Sequence, residues 1–301
     1  MNFKPFLGYA GILLGLLALA GLFRSEVAYG CSSCGTGGGD PLILYPAESQ
    51  KYYLGASRQS GIKNINSYGK PTANYGPEVK GRTTLAAGYR LLPKAFVTLN
   101  VSLLENSAGS ELMRGVGDPS LGGRWTILRQ NFAQPILPQV QLLFGYQPGW
   151  ARGGKDSESG RSLDVFGAGF DQQRLGLDLW WGMQKILFGG SINYVYSSPK
   201  RESVGVEQPG LAEFTNLTLG YQLVPETKIL GGLLRQRTAQ RIWRSQSIAD
   251  SEIINHTWFA TIDYRKAWGV LRLTLNRIGY ELRQKNTVQS QNYTLAWMRA
   301  L

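Results

Sequence analysis

Cys31 and Cys34 are the most conspicuous pair of reactive side chains in the sequence, separated by two serines and followed by a Gly-rich stretch. Three chemistries suit this spacing: a local disulfide in an oxidising compartment, lipidation of Cys31, or a two-thiolate copper(I) or redox site. Tetrahedral zinc needs four ligands, whereas the chain has two cysteines and one histidine. We therefore predict no zinc centre, assign no metal ligands and expect no cofactor.

His256, the only histidine of the chain, lies beside Asn255 and Thr257 at the end of a predicted strand. A hydrolase built on a barrel would need this histidine within reach of a nucleophile and an orienting group. Ser247 and Ser251 are near it in sequence, but no hydrolase signature joins them. We predict that the protein is not an enzyme and keep a barrel hydrolase as an alternative.

Charged and amide side chains recur at alternate positions of the predicted strands, where they would share the inner face of a barrel. The net charge is +12, and rings of charge set the selectivity of pores. We interpret the basic excess as a preference for anions and expect no nucleic acid partner. Binding of lipopolysaccharide phosphates and pairing of interior arginines with aspartates are alternatives. The predicted pore-lining residues are Arg82, Asn100, Arg124, Gln139, Gln141, Asp178, Asn193, Asn216, Asp263, Arg272 and Asn276.

The elements that must position these side chains are strands, because apolar and polar residues alternate from about Lys51 to Leu301. In one such segment Val97, Leu99 and Val101 alternate with Thr98, Asn100 and Ser102. A strand points successive side chains to opposite faces, so each segment has one apolar and one polar face. The predicted strands span 50–60, 79–92, 95–106, 117–130, 136–148, 170–183, 186–198, 211–223, 226–240, 254–266, 268–282 and 289–301.

The connections between these strands alternate between short turns and longer polar loops, as in outer-membrane barrels with short periplasmic turns and longer external loops. We therefore predict an all-β fold, a transmembrane antiparallel β-barrel of about twelve strands with both termini in the periplasm. The alternation at 163–170 is interpreted as a hairpin within an external loop. A soluble sandwich or barrel is the alternative fold. The longer loops are predicted at 61–78, 107–116, 149–169, 199–210, 241–253 and 283–288.

Residues 1–30 have the features of a signal peptide: a basic start at Lys4, an apolar run and small residues before Cys31. A single anchoring helix is the alternative. Residues 31–48 form a Gly- and Cys-rich segment that we expect in the periplasm, either as a leader or as a plug folded into the lumen. The barrel is predicted over 49–301, in the outer membrane of a Gram-negative bacterium.

Two passages carry a family resemblance. The first contains Gly115, Gly117 and Asp118 in a Gly-x-Gly-Asp motif that leads into a predicted strand, and the second runs over 169–176. Together they resemble the outer-membrane transporter family typified by the "MetA-pathway of phenol degradation" proteins, in which a Gly-x-Gly-Asp motif opens a strand in a similar way. The resemblance covers about residues 80–301. It implies a signal-bearing outer-membrane barrel that passes small organic molecules, hydrophobic ones among them.

The same motif has a physical interpretation. Gly115 and Gly117 let the backbone turn from the loop into the strand, and Asp118 before Pro119 can cap that turn. Asp118 could instead face the lumen and contact a substrate or a barrel arginine.

These features together predict a channel or transporter for small solutes, with anionic and hydrophobic organic molecules as candidates. The expected partners are outer-membrane lipid, the solute and the barrel-assembly machinery. The alternative function is a structural barrel that anchors or sheathes a periplasmic or redox partner through residues 31–48.

Overall fold

The computed structural model of the protein describes residues 50–72, 76–129, 137–159, 161–183, 185–202, 205–279 and 284–300. The signal peptide predicted over 1–30, the segment 31–48 and the two cysteines lie outside the described residues. In the part of the chain that the structure describes, no helix is both long and apolar enough to cross a membrane.

Twelve antiparallel strands form one closed barrel. Each strand pairs with the next along the chain. The last strand also pairs with the first, from Lys51 opposite Ala300 to Ile65 opposite Thr287. The strands are β1 (Gln50–Ile65), β2 (Val79–Leu92), β3 (Ala95–Ala108), β4 (Ser120–Leu128), β5 (Gln139–Gln147), β6 (Gln172–Met183), β7 (Ile186–Ser197), β8 (Ala212–Val224), β9 (Thr227–Thr238), β10 (Ile253–Lys266), β11 (Gly269–Ile278) and β12 (Thr287–Ala300).

Alternation along the strands separates two faces with different chemistry. Many outward side chains are large and apolar, and they are exposed: Leu219 is 61% exposed and Leu175 is 58% exposed. The inward positions are rich in polar groups, and Gln141, Thr218 and Thr261 are each 1% exposed. A soluble protein would bury the leucines and expose the polar groups, so the soluble alternative is wrong. The outward belt matches the apolar band of a barrel that spans a membrane.

The predicted strands agree with the structure, and the span predicted at 79–92 coincides with β2. The connections also alternate in length. Tight turns join β2 to β3, β8 to β9 and β10 to β11 at one end of the barrel. The start of β1 and the end of β12 lie at this short-turn end. The longer loops lie at the opposite end, which we call the long-loop end.

The loop predicted over 107–116 is wrong. Residues Glu111–Val116 form a strand that pairs with the end of β3. A two-residue turn joins them, and its Gly109 has a φ of 57°, a left-handed conformation that glycine adopts without a Cβ penalty. The chain leaves the ladder at 117–119 and then re-enters it as β4, beside the same strand β3.

The hairpin predicted at 163–170 is also wrong. The described residues from 161 to 171 form no strand, and three consecutive side chains, Leu163, Asp164 and Val165, are buried. A strand with one buried face would bury every second side chain. This segment instead belongs to an irregular loop that packs against the inner wall.

Candidate functional site

The inner wall of the barrel and the loop that folds against it form the candidate functional site. Strand alternation places all of the predicted pore-lining residues on the inward side of the barrel. These are Arg82, Asn100, Arg124, Gln139, Gln141, Asp178, Asn193, Asn216, Asp263, Arg272 and Asn276.

Arg124 is held by side chains of the two strands that follow its own. Its guanidinium lies 2.5 Å from the Asp178 carboxylate and 3.4 Å from the Gln141 amide oxygen. The Arg124 and Asp178 side chains are each 6% exposed. The Trp180 indole N–H donates to the same carboxylate at 2.7 Å. This buried network fixes the positions of β4, β5 and β6 relative to one another.

A second ion pair joins Arg272 on β11 to Asp263 on β10. The guanidinium donates two hydrogen bonds of 2.7 Å, one to each carboxylate oxygen. Such two-pronged pairs are among the strongest polar contacts in proteins. The alternative in which interior arginines pair with interior aspartates therefore describes both Arg124 and Arg272. A preference for anions must come from other inward cations.

Several inward amide oxygens receive no hydrogen bond from the protein. Buried amide oxygens are nearly always bonded, either to protein or to ordered water. These unmatched oxygens mark the inner wall as a polar surface, unlike the apolar outer face. The oxygens are Gln59 Oε1 and the Oδ1 atoms of Asn100, Asn193, Asn255, Asn276 and Asn292.

The described residues of 148–171, which we call the inner loop, fold into the barrel at the long-loop end. The Asn106 side chain on β3 donates to the carbonyl oxygens of Leu163 at 2.8 Å and Val165 at 3.0 Å. Leu163 is 0% exposed. The segment 31–48, which we considered as a plug of the lumen, lies outside the described residues. The sequence pattern did not indicate that the inner loop occupies part of the barrel.

The Gly-x-Gly-Asp motif fastens the inner loop to the wall. Asp118 is 4% exposed and accepts hydrogen bonds from the backbone N–H groups of Ala151 at 2.6 Å and Ala168 at 2.9 Å. The Gln147 side chain donates a longer bond of 3.4 Å. Asp118 thus joins the two arms of the inner loop, which is a wider role than the predicted capping of its own turn.

Glycines leave the space that this contact needs. The Phe166 ring occupies the place of a Cβ at Gly115, and the Asp118 carboxylate occupies the place of a Cβ at Gly167. A Cβ at Gly117 would lie 3.0 Å from the Leu104 side chain. A side chain at Gly115 or Gly167 would therefore push the inner loop away from the wall.

Asp164 organises the inner loop itself. Its carboxylate accepts hydrogen bonds from the Arg152 guanidinium at 2.6 Å, from the Glu158 backbone N–H at 2.8 Å and from the Ser157 hydroxyl. Burial alone would raise the pKa of Asp164, but these hydrogen bonds outweigh burial and hold the pKa well below its usual value. The charged form of Asp164 is therefore the form that the folded loop stabilises.

Ion pairs connect neighbouring loops at the long-loop end, and two of them involve the inner loop. We call the described parts of loops 66–78, 148–171, 198–211, 239–252 and 279–286 the collar. The Asn286 backbone N–H donates to the Asn66 carbonyl at 3.1 Å and joins the last loop to the first. The ion pairs are Arg161–Glu78 at 3.3 Å, Lys200–Asp156 at 2.7 Å, Arg241–Glu207 at 3.0 Å and Lys285–Glu252 at 2.7 Å.

His256 lies on the outward side of β10, where its Nδ1 is 3.4 Å from the Gln284 side-chain nitrogen. The nearby Ser251 hydroxyl bonds instead with the backbone of Arg241 and Ile248. Over the described residues, no group of three or more His, Cys, Asp or Glu side chains could hold a metal ion. These contacts give His256 a packing role at the end of its strand.

Solved structures similar to this chain are membrane barrels. An outer membrane channel from Pseudomonas putida F1 is similar with a TM-score of 0.66 and 15% identity, covering 88% of this chain and 100% of that chain. A TodX mutant monoaromatic hydrocarbon channel has a TM-score of 0.49 and 11% identity, covering 93% and 100%. At such identities the likeness concerns the fold alone. No protein-family model and no curated protein matches the sequence.

Replacing Asp118 by alanine should release the inner loop. The change removes two charge-assisted hydrogen bonds to backbone N–H groups, each contributing about 1.5–3 kcal/mol. We expect a larger and noisier single-channel conductance in planar bilayers. Glu105→Ala is the control, because Glu105 faces outward on β3 and pairs with the exposed Arg114. Equal conductance of Asp118→Ala, Glu105→Ala and the unchanged protein would contradict the fastening role.

Mild acid should leave the inner loop in place. Because the folded pKa of Asp164 is lowered, its contribution to stability is present above the ordinary carboxylate pKa of about 3.9. It is lost only as the pH falls through the still lower folded value. We expect the inner loop to resist limited proteolysis equally at pH 7 and pH 5, and Asp164→Asn to weaken that resistance at both. The unchanged protein could instead be cleaved faster at pH 5 than at pH 7, with no such difference in Asp164→Asn. This result would contradict the conclusion that Asp164 stays charged at pH 5.

Proposed function

We propose that the protein is an outer-membrane channel for small solutes, with organic anions and hydrophobic organic molecules as candidates. The observation that carries this proposal is the contrast between the two faces of the closed barrel. Exposed leucines face outward, whereas charged and amide side chains face inward. A wall of this kind suits a water-filled path across a membrane.

The charges on the inner wall support a preference for anions. Basic side chains outnumber acidic ones at the inward positions of the described strands, and rings of charge set pore selectivity. The inward acidic residues, Asp178 and Asp263, already pair with arginines. The inward basic residues are Lys51, Lys80, Arg82, Arg90, Arg124, Arg174, Lys228, Arg265 and Arg272.

The family resemblance and the orientation belong to the same proposal. We infer membership of the "MetA-pathway of phenol degradation" transporter type from the motif around Asp118, which the described contacts explain physically. We also propose that the short-turn end, with both ends of the barrel chain, faces the periplasm, since barrels carry their longer loops outside. Residues 1–30 would be the export signal, 49–301 the barrel, and the barrel-assembly machinery the partner that inserts it.

The competing function is a structural barrel that anchors a periplasmic or redox partner through residues 31–48, by a disulfide, lipid or metal at Cys31 and Cys34. We favour the channel because the inner wall is polar and carries charge, which a passive anchor does not need. We also propose that the protein is not an enzyme, since the described contacts of His256 include no nucleophile. The two functions differ in what they predict for ion flow.

Ion flow through the purified protein in planar bilayers tests the proposal. We expect a conducting barrel whose reversal potential in a salt gradient indicates anion preference. Lys80→Gln with Arg82→Gln should reduce that preference. Arg58→Gln is the matched control. Arg58 faces outward and lies opposite Gly81, the residue between Lys80 and Arg82. Arg124→Ala and Arg272→Ala are less suitable, since each leaves a buried carboxylate unpaired.

A silent barrel would contradict the channel and favour the anchor. Equal anion preference in the Lys80 and Arg82 variant and in Arg58→Gln would contradict the electrostatic part alone. A chain that lacks residues 31–48 adds a further comparison in the same measurement. A rise in conductance on this deletion is expected if the segment plugs the lumen, and unchanged conductance would exclude the plug.

A further inference from the structure

A cavity of about 560 Å³ lies inside the barrel at the long-loop end, between the inner loop and the inner wall. Its size falls in the range of about 300–1,000 Å³ that is usual for small-molecule sites. We propose that this cavity, the outer chamber, binds a small organic anion that combines a carboxylate with an apolar or aromatic body. This inference rests on the channel function proposed above and names the class of solute that the channel would recognise.

One side of the outer chamber is basic. Lys80 and Arg82 line it from β2, and because they are two residues apart, strand alternation places both on the inward face. Lys80 is 4% exposed, and Arg82 is half-buried. A guanidinium can hold a carboxylate with two parallel hydrogen bonds, and the Lys80 amino group adds a further N–H donor. Attraction to an anion is stronger there than at an open surface, because less water screens it.

The acidic side chains of the chamber have cationic partners of their own. Asp156 lies 2.7 Å from Lys200, and Glu207 lies 3.0 Å from Arg241. Both pairs also join neighbouring loops of the collar, so they form part of the chamber wall. Among the described residues that line the chamber, four side chains are basic and two are acidic. This balance of charge favours an anion over a cation.

The opposite side of the outer chamber is apolar. Phe214 on β8 and Val195 on β7 line it and are each 4% exposed. Strand β8 is six positions from β2 in a barrel of twelve, so Phe214 lies across the lumen from Lys80. The inner loop contributes Phe170 to the lining, and it contributes Phe166 on the side of Lys80, near Gly115. The chamber therefore has a basic wall at β2 and apolar side chains at β7 and β8 across the lumen.

A solute with both features contacts both walls at once. Acetate offers only a carboxylate, and benzyl alcohol offers only an aromatic body with a hydroxyl, whereas benzoate combines the charge and the ring. We expect benzoate to bind about tenfold or more tightly than either of the other two, a factor that corresponds to about 1.4 kcal/mol. This difference in affinity requires both a basic wall and an apolar wall. Electrostatic attraction alone would bind benzoate and acetate equally well.

Two measurements on the purified full chain test the chamber. Isothermal titration calorimetry in detergent compares benzoate, acetate and benzyl alcohol, and single-channel recording asks whether benzoate interrupts the ion current. Lys80→Gln with Arg82→Gln should weaken benzoate binding about tenfold, and Phe214→Ala should weaken it while leaving acetate unchanged. Arg58→Gln on the outer face is the control for both. Retention of the compact, heat-modifiable band on gels shows which variants fold.

The outcomes separate this inference from the channel proposal. Tight benzoate binding that depends on both walls supports the chamber, even if the barrel is silent in bilayers. A conducting barrel that binds benzoate no better than acetate overturns the chamber and leaves the channel intact. Equal benzoate affinity in the unchanged protein and in the folded Lys80 and Arg82 variant also overturns it. If those variants fail to fold, the unchanged protein still provides a test. Equal affinity for benzoate and benzyl alcohol would contradict a contribution of the basic wall to binding.

Discussion

Closure of the sheet determines where every strand and side chain of this barrel can lie. A lipid environment offers no hydrogen bonds, so a strand can cross it only if both of its edges are paired. The pairing of β1 with β12 satisfies this requirement along the whole seam, from Lys51 and Ala300 to Ile65 and Thr287. Once the sheet is closed, every strand must point alternate side chains to lipid and to the lumen. The exposed leucines and the buried polar residues are two results of one geometry.

Closure also creates an interior that the chain must fill or hydrate. Part of it is filled by ion-paired networks such as that of Arg124 with Asp178, and part by the inner loop, which Asn106 and Asp118 hold against the wall. Several inward amide oxygens have no donor among the described protein groups. The interior therefore holds structural contacts beside the space that is left open. Its cations at the long-loop end, Lys80 and Arg82, line the space that remains open.

The strands could be predicted from the sequence because alternation is a local signal, and β2 begins and ends where its pattern does. The inner loop could not, since its position depends on contacts between residues far apart in the chain, such as Asp118 with Ala168. Alternation even misled at 163–170, where buried residues follow one another. The glycines at 153, 167 and 169 were the available signal, because close backbone approach needs residues without a Cβ. The pairing of Arg124 was likewise unresolved until the register of β4 to β6 was known.

The most direct test of the account is whether water reaches the inner face and not the outer one. Asn216→Cys and Leu217→Cys place single thiols on adjacent positions of β8, inward and outward, in a chain whose Cys31 and Cys34 are replaced by serine. A membrane-impermeant thiol reagent is added to the protein in lipid vesicles, and labelling is followed by mass. We expect rapid labelling at position 216 and little at 217. Equal labelling at both positions, or labelling at 217 alone, would contradict a hydrated lumen enclosed by a lipid-facing wall.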